Sequence, residues 1–406
     1  MHTNDTIFLL EGKVQHYAWG GYEFIPAMIQ KENPMRIPFA EYWLGAHPGN
    51  AAEVVIDKFL KVPLNDFIEQ DAESRLGKNI IESYKQLPFL FKLLDVRDML
   101  SIQVHPDKKN AVIEFEREQE AGIPIQANHR NYKDNNHKLE LAVAIDEHWL
   151  LHGFKPAEKL METLSSVPEF NSFIHIFNIS GYQGLYSYVM ELAQASVNAI
   201  LQTLVNRVCG LYESGSLNKN QEDYWAAKAA LAYTQDGNID RGIFSIYFLN
   251  LFKLNRGEGI YQDAGILHAY LEGNIIELMS NSDNVLRGGL TVKHIDIDEL
   301  MRLVNFSATV PEILNPVKMN HATSFYDTEA PDFLLKKYSL QNGQLIPVKT
   351  EAIEILFVLE GEINIQQGNK VLHLVKGQSA LLLANQTIQL KAISNSVIFG
   401  STVKTP

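Results

Sequence analysis

The sequence predicts a mainly β protein: one β module interrupted by a helical insertion, then a second β module. Three observations carry this. From Ile7 to Phe154 the chain is a series of short apolar runs broken by Gly, Pro and Asn. From Lys155 to about Tyr233 it becomes rich in Ala, Leu and Glu and loses strand alternation. The last ~75 residues return to short runs at the close spacing of a sandwich or barrel. The expected division is 1–154 and 236–315 for the two parts of the first module, 155–235 for the insertion, and 316–406 for the C-terminal module.

In chain order, Ala52 to Ile56, Phe89 to Leu94, Leu100 to His105 and Leu139 to Ile145 read as strands, being rich in β-formers or alternating. Asp107 to Gly122 reads as a helix, opened by Pro106-Asp107 and closed by a glycine. Glu158 to Ser165, Ser187 to Tyr212 and Gln221 to Tyr233 read as the helices of the insertion. Strand texture resumes from Phe244 to Thr291, and Pro311, Pro316 and Pro331 mark an irregular crossover. Ile353 to Leu359, Glu362 to Gln366, Val371 to Val375, Ser379 to Leu383 and Ile388 to Ala392 form the strands of the last module.

With 406 residues, two or three domains are expected at ~100–200 residues each. There are 35 Lys+Arg against 48 Asp+Glu, a formal charge of −13, which argues against nucleic acid or an anionic membrane as partner. Cys209, the one cysteine, excludes an internal disulfide and a thiolate zinc site. No run of ~18 apolar residues predicts a membrane span, and Met1 to Leu10 lacks the basic start of a signal peptide. A cytoplasmic location is expected.

Three stretches carry candidate chemistry. On a strand, Ser101, Gln103 and His105 share one face, opposite Leu100, Ile102 and Val104. Leu139, Leu141, Val143 and Ile145 form an apolar face. Lys138 and Glu140 then lie with Ala142 and Ala144 on the other, whose small size suits a crowded interior. The stretch Gly257 to Glu272 resembles the second sequence motif of the cupin superfamily at Gly257, Gly265 and His268, with Asp263 in place of Pro and Glu272 in place of Asn. Gln103, His105, Glu140 and His268 together offer two imidazoles, a carboxylate and an amide, a set suited to Zn²⁺ or a neighbouring divalent ion with a position left open.

A longer resemblance follows from Tyr17-Ala18-Trp19-Gly20, Glu41 to Pro48, Leu100 to Pro106, Asn136 to Glu140, His268-Ala269-Tyr270 and Ser282 to Lys293. These stretches resemble the type I mannose-6-phosphate isomerases, in order, over nearly the whole chain. The resemblance implies a jelly-roll cupin catalytic domain, a second cupin-like domain without metal, and one Zn²⁺ held by Gln103, His105, Glu140 and His268. It implies isomerisation of mannose 6-phosphate to fructose 6-phosphate through proton transfer between C1 and C2, with Arg287 as an active-site group; Lys138, a cation on the face of Glu140, is the second expected catalytic residue. Two departures are Leu139, where the family has Pro, and Val292 in the Leu-Thr-Pro-Lys stretch.

A phosphosugar needs cations. Arg287 and Lys293 face one way if their segment is extended, and Lys92 interrupts an apolar run. Each reads equally as a salt-bridged cation, but all lie beside the ligand segments. Lys92, Ser101, Lys293, Tyr270 and Trp19 are therefore the expected substrate contacts, with Tyr17 and Trp43 as further aromatic candidates. The proton-transfer base stays open among Glu277, Asp283 and His47. Two other classes compete: a non-catalytic sugar-binding cupin, which would have lost ligands or Arg287, and a cupin oxygenase, which fits Gln103 and the cations poorly. The expected assembly is a monomer, with an oligomer left open.

Overall fold

The computed structural model describes residues 5–404. Strand exceeds helix, and the sheets are antiparallel, as the sequence predicts. The organising element is the long strand His268–Ser280. Its first residues pair with the strand His148–Phe154, His268 opposite His152, and also with Gln103. Its later residues pair with Phe89–Val96 on one side and Glu140–Ala144 on the other, setting Glu277 opposite Lys92 and Met279 opposite Glu140. The strand changes partners at a bulge between Tyr270 and Glu272. Gly273 follows at φ 120, and a Cβ there would lie 2.3 Å from the Glu147 carbonyl oxygen, so only glycine lets the strand turn this corner.

Alternation then sorts the side chains. Phe91, Leu93, Leu141, Val143, Ile276 and Leu278 point outward into a core shared with Phe8, Leu10, Phe357, Leu381 and Phe399. Leu94, Ala142, Ala144, Leu150, Tyr270 and Ile275 point inward. Lys92, Glu140 and Glu277 stand on that same inward face, so the barrel interior has an apolar end and a charged end. Ala142 and Ala144 keep space for long side chains, as their size suggests.

Helices Ala157–Ser166, Asn171–Glu191, Gln194–Glu213, Glu222–Tyr233 and Gly242–Phe248 cover the outer face of the His148–Phe154 strand. Trp149, Leu151 and Phe154 pack there with Phe170, Phe173 and Trp225 in one apolar cluster. The C-terminal module has its own interior of Ile346, Val348, Ile363, Ile365, Leu374, Ile388 and Leu390. The first strand, Ile7–Glu11, lies between Ser379–Leu382 and Glu53–Asp57, so the start of the chain sits in the sheet of its last module.

Some local expectations are corrected. The segment from Phe244 to Phe248 is helical, because a run apolar on every side is equally a buried helix, and all of Gly242–Phe248 is buried. The expected Ser187 to Tyr212 helix is two helices broken at Leu192 and Ala193, both with extended backbone. The strand expected over Leu100 to His105 is confined to Gln103–Val104. The chain around it is tied instead by Leu100 N–H to the Tyr270 carbonyl and Ile102 N–H to the Gly289 carbonyl, so Leu100 reaches the same cavity as Ser101 and Gln103. The crossover after Pro311 contains two strands, Val317–Lys318 and Thr323–Tyr326.

Candidate metal centre and its pocket

Three of the proposed ligands meet at the charged end of the barrel. One ligand atom from each of His105, Glu140 and His268 lies within 4.8 Å of the others, and all three residues are buried. His105 Nε2 is 3.4 Å from Glu140 Oε1, and His268 Nε2 is 3.3 Å from Glu140 Oε2. The far ring nitrogens fix the tautomers: His105 Nδ1 donates to the Asn284 carbonyl at 2.8 Å, and His268 Nδ1 donates to the Ile266 carbonyl at 2.9 Å. Gln103 stands opposite His268 across the ladder, and its Nε2 donates to Ser101 Oγ at 3.3 Å, which leaves its carbonyl oxygen as a donor toward the cavity it lines.

These residues fit a small divalent ion. The Nε2 atom of His105 is buried without a hydrogen-bond partner, a costly state unless something else occupies its lone pair. Burial, then Lys138, push the His105 pKa down to about 4, so the ring is neutral, the form that ligates metal. Against the upward push of burial, Lys138 and His105 hold the Glu140 carboxyl well below the usual range. Two imidazole nitrogens, one carboxylate and one amide oxygen form a donor set of the zinc type.

The cavity beside these groups spans ≈ 380 Å³, open solvent at its mouth included, and Lys92, Ser101, Lys138, Tyr270, Glu41 and Glu277 stand in its wall. Lys92 Nζ donates to Glu277 Oε2 at 2.9 Å, lies 3.6 Å from Glu41 and sits over the Trp43 ring. Burial opposes its charge, but Glu277, Glu41 and Glu140 together raise its pKa above the usual lysine value. Lys138 Nζ lies 2.9 Å from Glu140 Oε1, although Lys138 itself stands in irregular backbone just before the strand Glu140–Ala144. Burial holds Glu277 above the ordinary carboxylate range despite Lys92. The Tyr270 hydroxyl is held well above a usual phenol by burial first, then by Glu277 and Glu140.

Arg287 lies opposite Gln103 on the short ladder Leu286–Arg287 with Gln103–Val104. Burial lowers its pKa, and no carboxylate pairs with it among the described residues. The extended run from Arg287 to Lys293 does not form. A turn follows at once, with Leu290 at φ 54, yet Lys293 still stands near Arg287, and burial, Arg287 and then Lys133 lower its pKa. Trp19 stacks on Tyr17 at 5.9 Å and packs against the inner apolar cluster, outside the cavity wall. His47 and Asp283 pair with each other at 3.1 Å, also outside the wall.

Sequence reasoning missed three residues. Glu41 pairs with Lys92 and accepts from Trp43 Nε1 at 2.5 Å; the signal was the Glu-x-Trp alternation at the head of its strand. Asn284, fully buried, orients His105 through its carbonyl while its side chain accepts from Lys133 N and donates to the Asp134 and Asn136 carbonyls. Lys133 joins the cation group near Lys293. No periodicity marks the last two, which lie in irregular backbone.

Known proteins resemble this chain over nearly its whole length. Residues 7–157 match the model of the phosphomannose isomerase type I catalytic domain. The chain is 34% identical over 386 residues to the mannose-6-phosphate isomerase of Escherichia coli K12, covering 93% of this chain and 95% of that one. It is 30% identical over 418 residues to the human mannose-6-phosphate isomerase, covering 95% of each. The crystal structure of the Salmonella typhimurium mannose 6-phosphate isomerase, bound to fructose 6-phosphate and zinc, superposes with a TM-score of 0.87 at 30% identity, covering 99% of this chain and 100% of that one. No helix of the described residues is long and apolar enough to cross a membrane.

Proposed function

The chain belongs to the type I phosphomannose isomerases, and on that premise we propose that its pocket interconverts mannose 6-phosphate and fructose 6-phosphate as follows. The observation that carries the reading is the convergence of His105, Glu140, His268 and Gln103 at one end of a cavity whose wall holds a buried carboxylate, Glu277, between two lysines. Zinc, held by those four side chains, supplies a Lewis acid that polarises the sugar oxygens.

The chain's own residues do the rest. Glu277 is the proton-transfer base in this reading: it alone of the three candidates lines the cavity, and a pKa above the usual carboxylate range suits a group that both takes and returns a proton. It removes the C2 proton of the open-chain aldose, and the freed pair forms the C1–C2 double bond as the C1 carbonyl becomes an enediolate oxygen. The proton then returns to C1, and the O2 proton passes to O1 as C2 becomes the ketone. Lys138 and Arg287 donate to the oxygens on which negative charge develops. Lys92, Ser101 and Tyr270 orient the sugar, while Lys293, beside Arg287, takes the phosphate and Trp19 backs the mouth. The catalytic module comprises 1–154 and 236–315, with the helices of 155–235 and the module of 316–406 packed on it. The chain works as a monomer in the cytoplasm, free of nucleic acid and membrane.

The test is Glu277→Gln, read with mannose 6-phosphate tritiated at C2. Zinc content should stay at the wild-type level while tritium release to water and fructose 6-phosphate formation fall together, by about 10²–10⁴-fold. Wild-type release would remove Glu277 from the proton transfer. Wild-type activity after complete chelation of zinc would overturn the metal reading.

A further inference from the structure

Asp240 lies in the short connection between the helices Glu222–Tyr233 and Gly242–Phe248, away from the cavity wall. Its carboxylate is half-buried and forms no ion pair with a cation among the described residues. The adjacent Arg241 guanidinium donates instead to the carbonyls of Met190 and Leu192. The carboxylate's partners are backbone amides. Oδ1 accepts from Gly242 N at 2.7 Å and Leu290 N at 2.8 Å, and Oδ2 accepts from Thr291 N at 3.2 Å.

Leu290 and Thr291 belong to the turn that begins directly after Arg287. Gly288 N donates to the Ile102 carbonyl at 2.9 Å, and Ile102 N donates to the Gly289 carbonyl at 3.0 Å, so the turn is already pinned on its cavity side beside Gln103. On its outer side it presses on the helix start. A Cβ on Gly289, at φ 125, would lie 2.4 Å from Gly242 Cα, and one on Gly242 would lie 2.5 Å from Leu290 N. Leu290 itself is buried at φ 54, a left-handed conformation that a leucine keeps only when its surroundings enforce it. The Asp240 carboxylate is one such restraint, since it accepts from the amides of Leu290 and Thr291 together.

We propose that Asp240 is a positioning residue for the isomerisation: it fixes the turn after Arg287 and thereby the place of the Arg287 guanidinium. The connection that returns the chain from the helices thus contributes to the active site without touching substrate. The inference rests on the role given to Arg287 in the proposed function. A guanidinium displaced by about an ångström loses on the order of 10²-fold in rate, because its donors no longer meet the developing charge.

The test is a double-mutant cycle. Asp240→Asn keeps the size of the side chain but sets an amide N–H₂ against one of the turn's N–H groups. Asp240→Glu, which keeps charge and both oxygens one methylene further out, is measured alongside it and serves if the first does not fold. With zinc content and folded fraction matched to wild type, kcat/KM should fall about 10–100-fold. Neither change should matter further in an Arg287→Ala background. An equal loss in both backgrounds, or wild-type kinetics in the Asp240 variants, would overturn the proposal. Wild-type kinetics of Arg287→Ala alone would instead refute the reading of Arg287 on which it stands.

Discussion

Replacing Lys92 by Met removes one charge from the middle of the pocket and leaves its shape nearly intact. Lys92 Nζ stands 2.9 Å from Glu277 and 3.6 Å from Glu41. At 2.9 Å and an effective dielectric near 20, the attraction to Glu277 is about 6 kcal/mol. Removing one member of a buried pair costs about 3–5 kcal/mol once desolvation is included. The variant escapes that cost by protonating a carboxylate. Glu277 takes the proton, because burial already holds its pKa above the usual value. Three kcal/mol moves the pH at which it ionises up by about two, so a rate that needs the carboxylate falls by up to about 10²-fold below that pH and recovers above it. Stability runs the other way. Wild type and variant differ least in acid, where the carboxyl is protonated in both folded and unfolded chains. The deficit grows as pH rises from the unfolded carboxyl value to the raised folded one. The assay is a coupled measurement of fructose 6-phosphate across pH, beside thermal melts at each pH. A Lys92→Met enzyme that keeps the wild-type acid limb, with kcat reduced by one constant factor at every pH, would refute the link from Lys92 to Glu277.

Two further outcomes are expected. His105→Ala should lose both zinc and activity, since the remaining groups hold a wetter and weaker site; elemental analysis showing full zinc with wild-type turnover would remove His105 from the ligand set. Gly273→Ala should lower stability by at least about 2 kcal/mol, because its methyl would meet the Glu147 carbonyl oxygen at 2.3 Å in a left-handed backbone; an unchanged melting temperature would show that the strand can turn its corner another way.

The parts of this molecule that were legible in its sequence are those governed by strict alternation. Glu140, Ala142 and Ala144 fall on one face of a regular ladder, and the structure puts Glu140 at the metal centre and the alanines inside the barrel. Where the backbone leaves the ladder, the reading failed. Leu100 to Ile102 is held by single hydrogen bonds to Tyr270 and Gly289 rather than by a continuous ladder, so alternation says nothing about Leu100. The turn after Arg287 depends on Asp240, some fifty positions earlier, and no local pattern announces that contact. Phe244 to Phe248 is apolar throughout, which removes the period that separates helix from strand. Asn284 and Lys133 act from irregular backbone in the same way.

Ile7 pairs with Leu382, 375 positions further along the chain. Synthesis is vectorial, so the strand Ile7–Glu11 waits for Ser379–Leu382 before it has that neighbour. Loop closure over such a distance is entropically slow, and contacts of this separation delay folding more than they weaken the finished molecule. Until Ser379–Leu382 arrives, Phe8 and Leu10 stay outside the core they share with Phe91 and Leu278. The outer side of the zinc-bearing barrel stays uncovered for the same interval. The nascent enzyme is therefore at its most aggregation-prone late in translation, and loss of the C-terminal strands strips a wall from the catalytic module although those strands hold none of its ligands.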